Sequence, residues 1–235
     1  MGEVTRSDGE SQDRVDRARR GGNGAVVWVG MGPATLKTSG SPQAEFAREQ
    51  LIFLLQLAYS GELGALLAYI GHRHSLRDRK DRAEVGKIAR DEIHHRHCIL
   101  RMLTELGSAP EARRERKMAR VGWAISVFCH VGGWFFPMYG AGKLEAQNIR
   151  EYEDAARLAL IAELTAYVDP LLEMAEVEWD HELYFRSRAS SHPLWRVVPK
   201  WPTPDLRVAI RQSFSEFASS SDRTVIAVRA PWLIR

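Results

Sequence analysis

The tightest constraint on this chain is a four-residue pattern that occurs twice. DEIHHRHC, from residue 91, and VEWDHELY, from residue 177, each hold Glu-x-x-His, as Glu92 with His95 and as Glu178 with His181, 86 residues apart. Both stretches carry helical periodicity. On a helix the i and i+3 side chains point to the same side, roughly 4.5 Å apart along the axis, so each pair can present an oxygen and a nitrogen to one metal cluster. Bundles that hold a pair of iron or manganese ions take one further Glu from each of two other helices. Two lone glutamates on apolar helix faces are therefore expected, one before each Glu-x-x-His.

Glu62 and Glu145 meet that requirement. Leu55, Ala58, Ala65, Leu66 and Tyr69 lie at helical spacing around Glu62, and Met138, Ala141, Ile149 and Tyr152 around Glu145. Glu62 precedes Glu92 by 30 residues and Glu145 precedes Glu178 by 33, with a Tyr seven residues after each lone Glu. The chain reads as two related helical hairpins. One Glu-x-x-His arises readily by accident in a chain of this composition, so either copy alone carries little weight. Four carboxylates on apolar faces carry more, because burying an unpaired charge costs several kcal/mol and no Lys or Arg recurs on those faces. Two divalent cations would offset the four negative charges. Glu62, Glu92, His95, Glu145, Glu178 and His181 are thus the candidate ligands and catalytic residues.

The pattern of breakers predicts four long helices and an all-α class. The first runs over about 42–75, with Ser41 as N-cap and Pro42 at the first helical position. The second carries Glu92 and His95 and stops near Gly107 and Pro110. The third is expected to run from the basic stretch toward Leu160, interrupted around Pro137 to Gly142. The fourth should begin after the Val168-Asp169-Pro170 turn and continue to about Ala189. This places a four-helix domain over 41–189, a mobile extension over 1–40 and a wrapping tail over 190–235 with one short helix near 205–217.

Cys98 and Cys129 are the only cysteines and form no metal-type spacing, which fits a reducing cytoplasm. The net charge of +3 is mild and gives no reason to expect a nucleic-acid partner. Arg113, Arg114, Arg116, Lys117 and Arg120, however, lie directly before residues 121–142, which hold no Lys, Arg, Asp or Glu. A basic stretch beside an apolar one suits the inner surface of a membrane, contacted without being spanned. Trp123, Trp134, Phe135 and Phe136 are expected in the core, with membrane contact the alternative. His72, His74, His94 and His97 are expected on helix flanks or ends, and Asp91 and Asp180 on the surface, with a role in orienting a ligand the alternative. Tyr69 and Tyr152 either hydrogen-bond near the cluster or fill core.

GELGALLAYIGH, DEIHHRH, LEAQNIREYEDAARLA and EVEWDHELYF, in this order and spacing, resemble the four helices of the demethoxyubiquinone hydroxylase family of the ferritin-like superfamily, over about residues 45–187. The resemblance implies a ferritin-like bundle with two iron ions, using O2 to hydroxylate the ring of a polyprenylated benzoquinol at one membrane leaflet. It further implies electrons from NADH or a redox protein, and a lipid-presenting partner. Glu62 and Glu145 would be terminal ligands, Glu92 and Glu178 bridging ligands, and His95 and His181 the nitrogen ligand of each iron. The chain departs from the family where His72 replaces a common Gln and Glu151 a common His. Other readings of the ligand pattern are an aldehyde-deformylating or tRNA-hydroxylating di-iron enzyme, or an iron- or peroxide-handling protein like ferritin or rubrerythrin. The apolar 121–142 segment and the lack of a paired CxxC favour the lipid-modifying reading over these.

Overall fold

The computed structural model describes residues 41–220, and among them there is no strand. Six α-helices follow one another: α1 (Pro42–Ser75), α2 (Arg79–Glu105), α3 (Ala112–Val131), α4 (Phe135–Ile161), α5 (Val168–Ser190) and α6 (Arg207–Ser219). Two 3-10 turns, Thr165–Tyr167 and Pro193–Arg196, complete the helical elements. The extension expected over 1–40 and the last part of the tail, 221–235, lie outside the described residues.

Local chemistry sets the helix starts. Ser41 Oγ accepts from the Ala44 N–H at 3.2 Å and Pro42 occupies the first turn of α1. Asp78 caps α2 by accepting from the N–H groups of Lys80 and Asp81, and Glu111 caps α3 in the same way from Arg113 and Arg114.

Two boundaries differ from the sequence expectation. The expected third helix is two helices, and the chain breaks at Gly132–Gly133 rather than around Pro137–Gly142. Gly133 has φ of +70°, a conformation glycine takes without a Cβ penalty. Pro137 instead sits in the first turn of α4, where its missing N–H costs no intrahelical bond. Likewise Val168, Asp169 and Pro170 form the first turn of α5 rather than a turn before it.

α1 packs against α2, α4 against α5, α1 against α4 and α2 against α5, so four helices surround one interior. That interior is layered. Leu51, Leu55, Ile99, Leu103, Ile149 and Leu171 belong to an apolar cluster on one side. Ala65, Val85, Ile88, Phe135, Met138 and Phe185 belong to a second on the other. Each of α1, α2, α4 and α5 contributes to both clusters, and in each helix the residues between the two contributions are the acidic and imidazole side chains. Glu62 falls between Leu55 and Ala65, Glu92 and His95 between Ile88 and Ile99, Glu145 between Met138 and Ile149, and Glu178 and His181 between Leu171 and Phe185. The helical period thus places six ionisable groups at one level, with hydrocarbon on both sides.

α3 lies along α1 through small residues. A Cβ on Gly122 would strike the Gly64 carbonyl, and one on Gly71 would strike Ser126. Arg96 of α2 fastens the first turn of α3 by donating to both Glu115 carboxylate oxygens, and it stacks 3.8 Å over the Tyr59 ring. α3 and α4 make few contacts with one another, which leaves a cleft between them. The aromatics expected in the core divide: Phe135 is buried, whereas Trp123 is 68% exposed and Trp134 and Phe136 are partly so.

Candidate metal centre

All six sequence-predicted ligands come together and all are buried, Glu92, Glu145 and Glu178 completely. They fall into two overlapping sets that can each hold a metal ion: Glu62, Glu92, His95 and Glu178, and Glu92, Glu145, Glu178 and His181. Within each set the donor atoms all lie within 4.8 Å of one another. Glu92 and Glu178, from the two Glu-x-x-His pairs, are common to both.

The contacts between the imidazoles and carboxylates are reciprocal. His95 Nδ1 lies 3.0 Å from one Glu178 oxygen and 3.6 Å from Glu92 Oε2. His181 Nδ1 lies 3.4 Å from the other Glu178 oxygen and 3.7 Å from Glu92 Oε1. Neither Nδ1, and none of the four oxygens of Glu92 and Glu178, completes a hydrogen bond. So many unpaired polar atoms facing one another in a dry interior would be strongly unfavourable alone. A carboxylate- and imidazole-rich donor set of this kind is chemically suited to divalent iron or manganese. The residues present therefore fit a pair of metal ions.

The outer partners fix the ligands in place. Tyr69 of α1 donates to Glu145 of α4, and Tyr152 of α4 donates to Glu62 of α1, so the two bonds cross between the helices. Asn148 Nδ2 donates to the second Glu145 oxygen at 2.9 Å, whereas Glu62 Oε2 has no hydrogen-bond partner. Asp91 is not a simple surface residue: its carboxylate lies 3.1 Å from His181 Nε2. In the neutral ring that contact favours the proton on Nε2, which leaves Nδ1, facing Glu92 and Glu178, as the atom that would meet a metal ion. Asp180 is exposed and pairs with Arg207 at 3.5 Å. His74, His94 and His97 are also exposed and stand apart from the cluster.

The electrostatics follow from burial and proximity. Burial, and then the charges of neighbouring carboxylates, raise the Glu92 and Glu145 pKa values well above the usual carboxylate range. Burial opposes charge on Glu178 too, but the facing His181 and His95 rings outweigh it and hold its pKa low. Burial also opposes charge on the two imidazoles. For His95 the facing Glu178, Glu62 and Glu92 prevail, and for His181 Asp91 and Glu178, so both pKa values are raised. Because these raised pKa values favour the protonated groups, metal binding there would release protons.

An apolar cavity of about 440 Å³ reaches this centre between α1, α3 and α4. Glu62, Tyr69 and Tyr152 form part of its wall, while Val121, Ile125, Phe128 and Phe136, all partly exposed, line its outer side. The cavity follows α1 from Leu57 to His72, about 22 Å of helix. His72 lies in the last turn of α1, a helix end as expected, but it is buried. Burial pushes its imidazole down to about 4, against the opposing pull of Asp81.

The crossing of the tyrosine bonds and the burial of His72 escaped the sequence reading, and the Asp91 contact is the alternative to the surface position expected for it. The Tyr at +7 from each lone Glu signals the first but does not say which Glu it meets. Asp91 directly precedes Glu92, and it is the packing of α2 against α5 that brings it to His181. The chain matches no protein-family model, no curated protein and no solved structure.

Divalent iron or manganese at about 100 times its dissociation constant should add about 2.7 kcal/mol of stability, roughly 5–10 °C in Tm for a domain of this size. Glu92→Ala or His181→Ala should abolish the shift while leaving helicity, read by circular dichroism, largely intact. Because both imidazoles and two carboxyls have raised pKa values and must lose protons to bind metal, the shift should be larger at pH 8 than at pH 6. Differential scanning fluorimetry across that range tests both statements, and a shift that grows as pH falls would contradict the assignment.

Proposed function

We propose that this protein is a di-iron monooxygenase with a ferritin-like bundle, hydroxylating the ring of a polyprenylated quinol in the manner of the demethoxyubiquinone hydroxylases. The observation that carries this reading is the pair of overlapping ligand sets sharing Glu92 and Glu178, next to an apolar cavity that touches the centre at Glu62. Two ferrous ions in such a site would supply the electrons and Lewis acidity that activate O2 for insertion of one oxygen atom into an electron-rich ring. The second oxygen atom leaves as water, with two electrons from NADH or a redox protein and two protons completing the balance.

The chain's own residues supply placement. Glu92 and Glu178 would bridge the ions, and Glu62 with His95 and Glu145 with His181 would complete each set. Tyr152 and Tyr69 hold Glu62 and Glu145 by one oxygen each, so that the carboxylates are set before metal arrives. Among the six ligands only Glu62 lines the cavity, so a substrate would approach from the Glu62 and His95 side. The two apolar clusters on either side keep bulk water from the reaction. An elongated cavity with carbon-rich walls favours a lipid-like substrate over a nucleic acid or an iron-storage role.

The same cleft suggests where the substrate comes from. α3 leaves Trp123, Val127 and Val131 exposed, and Arg113, Arg116, Lys117 and Arg120 are exposed on its first turns. We infer that this face rests on the inner surface of an anionic membrane in the cytoplasm and that the cleft opens toward it, a lipid-presenting protein assisting transfer. Among the described residues α1 is the one helix long and apolar enough to cross a membrane. Half of its apolar window is buried within the bundle, though, and it carries Glu62, which makes it a core helix here.

Three outcomes follow. Protein reconstituted with ferrous iron without oxygen, then given O2 and reductant, should add one oxygen atom to a short-chain demethoxyquinol by mass spectrometry; an unchanged quinol beside a fully loaded centre would contradict the reading. Phe136→Asp should depress kcat/KM for a long-chain quinol about tenfold or more relative to a short-chain analogue, with iron content normal, because a carboxylate at the cavity lining must be desolvated when the tail binds. Equal losses for both lengths would remove Phe136 from the tail path. Flotation with anionic vesicles should carry the protein upward and weaken with salt, and Trp123→Asp should reduce it; indifference to vesicles and salt would exclude surface binding.

A further inference from the structure

His72 is a polar group set in an apolar cavity with nothing to do there. It lies in the last turn of α1, is 1% exposed, lines the cavity, and its Nε2 has no hydrogen-bond partner. The wall of the same cavity includes Phe128, Phe136 and Pro137, together with the Cys129 thiol, which burial pushes up to about 11 and so keeps neutral. A buried polar atom left unpaired carries the full cost of its lost hydration, so its retention calls for a partner.

The chemistry of that partner can be read from the other ring nitrogen. Ser75 Oγ donates its proton to the His72 carbonyl at 2.8 Å. It therefore meets His72 Nδ1, 3.5 Å away, as an acceptor. Nδ1 then carries the single proton of the neutral ring, and Nε2 presents a bare lone pair. Burial, which holds the imidazole near 4 despite Asp81, keeps this state at neutral pH. An unpaired acceptor on a residue of the cavity wall calls for a donor on the ligand. Tyr69, one turn earlier on the same face of α1, also lines the cavity and reaches Glu145, so a ring lying beside Tyr69 is close to both the centre and His72.

We propose that His72 Nε2 accepts a hydrogen bond from a hydroxyl of the ligand ring, so that the cavity selects phenols and hydroquinones over quinones and ring ethers. This rests on the reading of the cavity as a quinol site and deepens it by naming the residue that recognises the reduced ring. A quinone carbonyl or an ether oxygen would set lone pair against lone pair at Nε2 and leave the atom unpaired. His72 is on this account a specificity-determining residue outside the metal centre.

The test compares 4-nonylphenol with 4-nonylanisole, which share a ring and tail and differ in the hydroxyl proton. Binding to the full-length protein is measured by calorimetry, as purified and again after metal removal. The wild type should bind the phenol about tenfold or more tightly than the ether in both states, the factor a hydrogen bond to a buried acceptor supplies. His72→Leu should bring the two affinities within about twofold, and His72→Gln, which restores an acceptor oxygen, should retain phenol binding while admitting the ether. Melting curves for both variants show that they fold. Equal affinities in the wild type, a preference that survives in His72→Leu, or binding of neither ligand overturns the proposal. A failed oxygenation assay would instead count against the catalytic reading, since the metal-free arm does not depend on it.

Discussion

Four carboxylates and two imidazoles share one level of the helical interior, and no lysine or arginine is among them. Everything else in the described structure accommodates that fact. Apolar clusters lie on both sides, so water cannot solvate the charges, and the charges can be relieved only by protons or by cations. The raised pKa values of Glu92, Glu145, His95 and His181 describe the proton-relieved state. The convergence of donor atoms into two sets that share Glu92 and Glu178 prepares the cation-relieved one. A layer of this kind also fixes helix register, because sliding one helix by a turn would carry its carboxylate into hydrocarbon.

The outer contacts make the arrangement specific. Tyr69 and Tyr152 tie α1 to α4 through the two lone glutamates, and Asp91 ties α2 to α5 through His181. The halves are related but unequal. Glu145 has both oxygens engaged, by Tyr69 and Asn148, whereas Glu62 keeps Oε2 without a hydrogen bond and stands at the cavity wall. α3 creates that cavity: held to α1 through Gly64, Gly71, Gly122 and Ser126, it has little contact with α4 and so leaves a cleft. The reactive side of the proposed centre and the entrance for an apolar ligand thus arise from the same asymmetry.

Much of this was legible in the sequence because it depends on spacing along single helices. Glu-x-x-His places two donors on one face whatever the partner helix does, and the apolar neighbours of Glu62 and Glu145 already point those carboxylates inward. Ser41 and Pro42 mark the start of α1 by local chemistry alone. What could not be read depends on how helices meet. Gly132 and Gly133 look no more decisive than Pro137 until φ at Gly133 is known, and a proline in a first turn breaks nothing. Trp123 reads as core by its apolarity but is exposed because α3 sits outside the four-helix interior. His72 and Asp91 gain their roles from α3 and α5, which lie far from them in the chain.

The central claim is that the six residues form one site for two metal ions, and anomalous diffraction from crystals soaked in ferrous or manganous salt tests it most directly. The account predicts two peaks inside the bundle, each contacted by Glu92 and Glu178, one also by Glu62 and His95 and the other by Glu145 and His181. A single peak at full occupancy, or peaks confined to the exposed imidazoles of His94 and His97, would contradict it.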